Sequence, residues 1–138
     1  MKKRIETVNQ VNAPLAKVWA KVEPGTHMDK WMPIIETCSV EGNKRVCTTP
    51  EGATLYETIQ ADAENKVFKY SIDKQDFMPI SDIEGTITLR ENGDNTTMHW
   101  DVDFEISEEN EPAFPEIKKN IEGIYQMAAV SLAEFANA

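Results

Sequence analysis

The chain has 138 residues, 41% of them hydrophobic and 28% charged, and a formal net charge of −10. That is the size and composition of one globular domain with a full core, here spanning residues 1–138, and the acidity excludes a phosphate-binding surface for nucleic acid or anionic membrane, which needs clustered Lys and Arg. No apolar run approaches the ~18 residues of a membrane span, and residues 1–7 lack the apolar stretch of a signal peptide, so a cytoplasmic location with no membrane insertion is expected.

Residues 3–12 read as a first strand with Ile5, Val8 and Val11 as its apolar members. Asn12-Ala13-Pro14 opens a helix, with Asn12 able to cap and Pro14 suited to the first turn. Leu15, Val18, Trp19 and Val22 form its apolar face, and Pro24-Gly25 stops it. A helical turn near Met28-Asp29-Lys30-Trp31 precedes Pro33.

From Ile34 the period changes to two. Residues 35–41 and 44–49 read as a hairpin over Gly42-Asn43, residues 54–61 and 66–73 as a second round Glu64-Asn65, and residues 83–91 and 96–106 as a third round Gly93-Asp94. The tight turns of such a meander fall at one end of the sheet and its two long loops at the other. A cavity mouth is therefore expected between residues 48–53, residues 76–81 and residues 112–115. Last comes the stripe Ile117, Ile121, Ile124, Tyr125, Ala128, Leu132 and Phe135, the apolar face of a long helix with Lys118, Glu122 and Glu134 facing away. One long helix needs an apolar surface, and only a curved antiparallel sheet supplies it.

Strand alternation assigns the inner face. Met98, Trp100, Val102, Phe104 and Ile106 point inward, and His99, Asp101, Asp103 and Glu105 belong in water. A two-residue turn sets Ile87 opposite Trp100 and Gly85 opposite Val102, so Gly85 leaves room beside the indole. Phe68, Tyr70 and Ile72 face inward with Leu55, Glu57, Ile59 and Ala61 opposite. Glu57 is the anomaly: a carboxylate on an apolar face is costly unless paired, hydrated or protonated. It is either wet at an open mouth or part of a polar patch in a cavity. Glu36 shares parity with Cys38 and Val40 and points inward near the mouth, with Arg45 on the neighbouring strand to neutralise it. Tyr70 and Tyr125 either pack or offer hydroxyls to a ligand, packing being the commoner use.

Cys38 and Cys47 are the only cysteines. The turn sets them directly opposite in a non-hydrogen-bonded pair, where a disulfide fits geometrically; a reducing cytoplasm makes free thiols the default. Two thiols do not make a zinc site, and His27 and His99 stand at no metal-ligand spacing from them. Neither metal nor cofactor is expected.

Ala13-Pro14-Leu15-Ala16-Lys17-Val18-Trp19, Trp31-Met32-Pro33, Glu41-Gly42, Gly52, Glu57-Thr58-Ile59, Tyr70-Ser71-Ile72, Gly85 and Trp100, in that order and spacing, resemble the START-related, birch-pollen-allergen-like (SRPBCC) superfamily, and within it the polyketide cyclase/dehydrase-like group. The resemblance spans the whole chain. It implies an α+β helix-grip fold: a curved antiparallel seven-stranded sheet wrapped round a long C-terminal helix, with two short helices after the first strand. Residues 35–41 also look like the second strand of the plant abscisic-acid receptors. Glu36 stands where their ligand-pairing lysine would be, and Thr49-Pro50-Glu51-Gly52 replaces their gate, so the fold carries over and the hormone does not.

The resemblance implies a cavity for a hydrophobic or amphipathic small molecule, without implying catalysis. Contacts are expected from Phe68, Tyr70, Trp100 and Phe104 on the sheet, Ile121 and Tyr125 on the helix, and the carboxylates Glu36 and Glu57. The first reading is a non-catalytic binder or carrier, since no nucleophile–base pair is visible. The second is a cyclase or dehydratase with Glu57 as acid/base and a tyrosine orienting a carbonyl. The third is a protein-interaction module using the outer sheet face or the loop Asp76-Phe77-Met78-Pro79-Ile80, which serves equally as lid or partner patch.

Overall fold

A computed structural model describes all of residues 1–138. The elements run β1 (Lys2–Val11), α1 (Leu15–Val22), α2 (Met28–Trp31), β2 (Thr37–Glu41), β3 (Lys44–Thr48), β4 (Thr54–Asp62), β5 (Val67–Lys74), β6 (Ser81–Asn92), β7 (Asn95–Glu105) and α3 (Phe114–Asn137). The strands form one antiparallel sheet in the order β1-β7-β6-β5-β4-β3-β2, so the chain's first strand closes against its last. The expected helix-grip architecture is the observed one. No helix is long and apolar enough to cross a membrane.

The hairpin registers follow from their turns. Gly42 and Gly93 both sit at positive φ (62° and 61°), the conformation that two-residue turns require. Cys38 lies opposite Cys47, Gly85 opposite Val102 and Ile87 opposite Trp100, as the turns dictate. The cysteines, with Cα atoms 4.2 Å apart, are joined in a disulfide rather than left as the expected free thiols. The pairing puts the two side chains on one face at close range, as the bond requires.

Four local expectations are corrected. Val8 is 60% exposed and Thr7 is buried in its place, its hydroxyl donating to the Trp100 carbonyl at 2.8 Å. β1 therefore keeps strict alternation, with Ile5, Thr7 and Val11 inward. Asn12 does not cap α1, whose first position follows Pro14 with no side-chain cap; instead the Asn12 carbonyl accepts from Asn137 Nδ2 at 2.9 Å, tying the end of α3 to the β1–α1 turn. β2 begins at Thr37, leaving residues 34–36 outside the sheet. Ala61 pairs with Phe68 but is exposed, because the sheet extends past its covering helices there.

The stripe on α3 divides in two. Its C-terminal half buries Tyr125, Ala128 and Leu132, joined by Ala129, Ala133 and Ala136, so α3 lies close on β1 and α1. Its N-terminal half, with Ile117, Ile121 and Ile124, is only half-buried. Lys118, Glu122 and Glu134 are exposed as expected. The sheet and the front of α3 stand apart, and the space between them is the candidate site.

Candidate functional site

The space is a cavity of about 330 Å³ lined by 21 residues, 17 of them hydrophobic. That volume lies at the small end of the range for ligand sites, about 300–1,000 Å³. β4 and β5 supply Leu55, Glu57, Tyr70 and Ile72, β6 and β7 supply Ile83, Trp100 and Val102, and α3 supplies Ile117, Asn120, Ile121, Ile124 and Tyr125. Its rim is formed by Met32, Ile34 and Ile35 on one side and by residues 77–80 on the other.

Of the three segments expected at the mouth one contributes, and residues 112–115 do not line the cavity. The loop at residues 76–81 contributes, but residues 48–53 do not. The segment between α2 and β2 takes their place, because leaving the sheet at residues 34–36 lets it cross the opening. The loop at residues 75–80 is held by one side chain. Gln75 Nε2 donates to the carbonyls of Met78 (3.1 Å) and Ile80 (2.8 Å), and Gln75 Oε1 accepts from the Met78 amide at 2.9 Å. Ile80 is thereby buried while Phe77 stays partly exposed. The sequence reading gave Gln75 no role; only its place before the Phe-Met-Pro-Ile cluster marks it out.

Aromatic rings form the cavity floor. The Trp100 indole stacks on the Tyr125 ring at 3.8 Å between centroids and 8° between planes, with Trp31 at 5.8 Å and Tyr70 edge-on at 6.5 Å. Trp100 Nε1 donates to the Tyr70 hydroxyl at 3.0 Å, so the indole N–H, which has to find an acceptor when buried, is satisfied within the wall. The space Gly85 leaves is filled by Tyr70 rather than by the indole: a Cβ at residue 85 would overlap the Tyr70 ring. Burial pushes the Tyr70 phenol above its usual range, and burial with the adjacent Tyr70 pushes Tyr125 well above it, so both stay neutral.

One ion pair interrupts the apolar lining. Arg45 Nη2 donates to Glu57 Oε1 at 2.6 Å, with the two side chains 1% and 4% exposed. Register causes this: Arg45 is the direct partner of Glu57 across β3 and β4. Arg45 Nη1 donates to the Gly25 carbonyl at 3.2 Å. Gly25 sits at φ 74°, and a Cβ there would lie 2.8 Å from Ile59 Cδ1, so only glycine brings this carbonyl to the guanidinium. The Phe68 and Tyr70 rings lie 5.4 and 5.7 Å from the guanidinium carbon. Burial raises the Glu57 pKa, and Arg45 draws it part of the way back. Arg45 Nε is buried with no protein acceptor.

Of the residues proposed from sequence, Glu57, Tyr70, Trp100, Tyr125 and Ile121 line the cavity. Phe68 lies behind the lining against Arg45 and Gly25, and Phe104 packs against Phe114 at 6.0 Å, deeper along the sheet. Glu36 is corrected: it lies outside β2, is exposed, and is not paired with Arg45, which Glu57 claims instead. No group of three or more His, Cys, Asp or Glu side chains is placed to hold a metal.

The family profile described as polyketide cyclase / dehydrase and lipid transport matches residues 2–136. The chain belongs to this family. Among solved structures, the XoxI protein of Bacillus cereus is similar over 97% of this chain and 95% of its own, with 20% identity and a TM-score of 0.80. A START superfamily protein of Mycobacterium smegmatis is similar over 97% of both chains, with 15% identity and a TM-score of 0.80. A Thalictrum norcoclaurine synthase mutant, solved with a transition-state analogue, aligns over 100% of this chain and 98% of its own at 15% identity and a TM-score of 0.73. At these identities the likeness is one of fold. No curated protein matches the chain in sequence.

Proposed function

We propose that this polyketide cyclase/dehydrase and lipid-transport family member binds a hydrophobic or amphipathic small molecule in its cavity, as a carrier rather than a catalyst. The observation that carries the reading is the cavity itself: about 330 Å³ with 17 hydrophobic residues of 21, whereas the C-terminal half of α3 buries Ala128 and Leu132 completely. Apolar space of that size goes against the close packing of protein interiors and lowers stability unless something occupies it. Phe77, Met78, Pro79 and Ile80 line this space, which supports a lid role for the loop over a partner patch.

The second reading, acid/base chemistry by Glu57, has one observation in its favour, the upward push of burial on its carboxyl. Against it, the carboxylate is engaged by Arg45, and the Tyr70 hydroxyl accepts from the Trp100 indole.

Titration with 1-aminoanthracene, a neutral fluorescent apolar probe, tests the reading. Saturable one-to-one binding with enhanced emission is expected, and Ile121→Trp, which fills the cavity from α3, should abolish it. Absence of saturable binding, or binding indifferent to Ile121→Trp, refutes an internal site.

A further inference from the structure

The protein uses only half of the Glu57 carboxylate. Oε1 accepts from Arg45 Nη2 at 2.6 Å, and Oε2 accepts no hydrogen bond. Among the side-chain nitrogens and oxygens of residues that are not exposed, Arg45 Nε alone is both sealed off and without a partner. Glu57 Oε2 has no partner either, so it is not sealed off. The side chain is 4% exposed and lines the cavity, and its residual access is to that interior.

The backbone brings the carboxylate there. The β4–β5 ladder slips at this level: Tyr56 opposes Lys74, Glu57 opposes Ile72, and Asp73 opposes nothing. Such irregularities re-aim side chains and gather beside functional sites. Leu55 on the same strand and Ile72 across from it line the same cavity, so the free oxygen opens among apolar side chains. Paired with Arg45, the carboxylate is an anion, and an anionic carboxylate only accepts. A buried acceptor without a donor is costly, so an occupant with a proton to give gains a charge-assisted hydrogen bond. Arg45 already cancels Glu57. A cationic donor would therefore add net charge in apolar surroundings, whereas a hydroxyl adds none.

We propose that the cavity selects neutral apolar molecules bearing a hydroxyl, which donates to Glu57 Oε2 while the apolar body lies along Trp100 and Ile121. This rests on the cavity being a ligand site and narrows the occupant to alcohols and phenols. It sets aside ethers and amines of the same shape.

Water held in the cavity is the rival donor. If it satisfies Oε2 as well as a ligand does, a hydroxyl gains nothing over an ether.

The test is displacement of 1-aminoanthracene at pH 7 by four probes of one skeleton: 4-butylphenol, 4-butylanisole, 4-butyltoluene and 4-butylbenzylamine, the last a cation at that pH. The phenol should bind about tenfold more tightly than the ether, the lower end for one hydrogen bond to a charged group. The amine should bind more weakly than the phenol. The double variant Arg45→Met/Glu57→Leu, which removes both charges, should erase the preference of phenol over ether. Glu57→Gln, which keeps the shape but not the charge, should narrow it severalfold and covers the case in which the double variant does not fold. A phenol no tighter than the ether, as expected if water satisfies Oε2, overturns the proposal. So does a preference that survives both variants, or an amine that matches the phenol. If 1-aminoanthracene and 4-butyltoluene also fail to bind, the ligand-site reading falls with it; if they bind, that reading stands and only the selectivity is wrong.

Discussion

Replacing Glu57 by glutamine leaves the Arg45 guanidinium buried at 1% exposure with its counter-ion gone. For charge centres about 4 Å apart at an effective dielectric of about 20, the lost attraction is about 4 kcal/mol, an upper bound because removing the carboxylate also removes the desolvation that raises its pKa. Breaking one side of a buried pair costs about 3–5 kcal/mol, a large share of the roughly 5–15 kcal/mol that holds a domain folded. At a urea slope of about 2 kcal/mol/M, the midpoint should fall by at most about 2 M. Arg45→Met differs in its pH dependence. It leaves Glu57, whose folded pKa is already raised by burial and then loses the downward pull of Arg45. A carboxyl with a raised folded pKa favours the fold when protonated, and its penalty grows as pH rises through that pKa. The cost of Arg45→Met should therefore shrink between pH 7 and pH 5. The cost of Glu57→Gln should not, because arginine stays charged throughout. The double change Arg45→Met/Glu57→Leu should be near neutral or stabilising by about 1–4 kcal/mol. Urea unfolding followed by circular dichroism at both pH values gives all three numbers. A cost for Glu57→Gln under about 1 kcal/mol, or one that fades on acidification, refutes the buried-pair reasoning.

Gly85→Ala should drive the Tyr70 ring from its seat and break its bond to Trp100, costing about 1–3 kcal/mol; an unchanged near-ultraviolet dichroism spectrum would contradict that placement. Leu132→Ala, at a site with 0% exposure, should cost about 2–5 kcal/mol, and Ile121→Ala clearly less because its side chain already borders empty space. Equal losses on thermal or urea unfolding would mean that α3 is packed evenly along its length. Reduction of the Cys38–Cys47 disulfide opens a short loop and should lower stability by at most about 2.5 kcal/mol in the chain-entropy account. Loss of all tertiary structure on adding a dithiol reductant would show the bond to be far more important than that.

The sheet was legible because its alternation and its turns agree. Gly42-Asn43 and Gly93-Asp94 each fix a register, and a register fixes every facing pair along the two strands. Glu57 was readable as inward by the same parity. Its partner was harder to read. Arg45 shares a face with both Glu36 and Glu57, and choosing between them requires knowing that β2 starts only at Thr37 and leaves Glu36 outside the sheet. Strand boundaries of this kind are set by what the segment packs on, here the cavity rim, rather than by local preference. The mouth was misjudged for the same reason. Loop length points to residues 48–53, whereas the chain crosses the opening at residues 32–35, where apolar side chains from a non-strand segment have an apolar cavity to cover. Val8 misled because an apolar residue on an outer strand face costs little, while Thr7 is admitted inside by a hydrogen bond to a carbonyl that no sequence pattern reveals.

The Gln75 bracket over the loop has a consequence for rates. Its amide makes three hydrogen bonds, to the Met78 and Ile80 carbonyls and from the Met78 amide. At about 0.5–1.5 kcal/mol net for each, lifting the loop costs about 1.5–4.5 kcal/mol. The raised conformation then has a population of roughly one in ten to one in two thousand. A molecule that enters under the loop arrives at its ordinary encounter rate multiplied by that fraction. On the carrier reading, an occupant would leave at a rate limited by the same opening, so affinity and exchange speed would be set by different residues: the wall for how tightly a molecule is held, and the Gln75 amide for how often it changes.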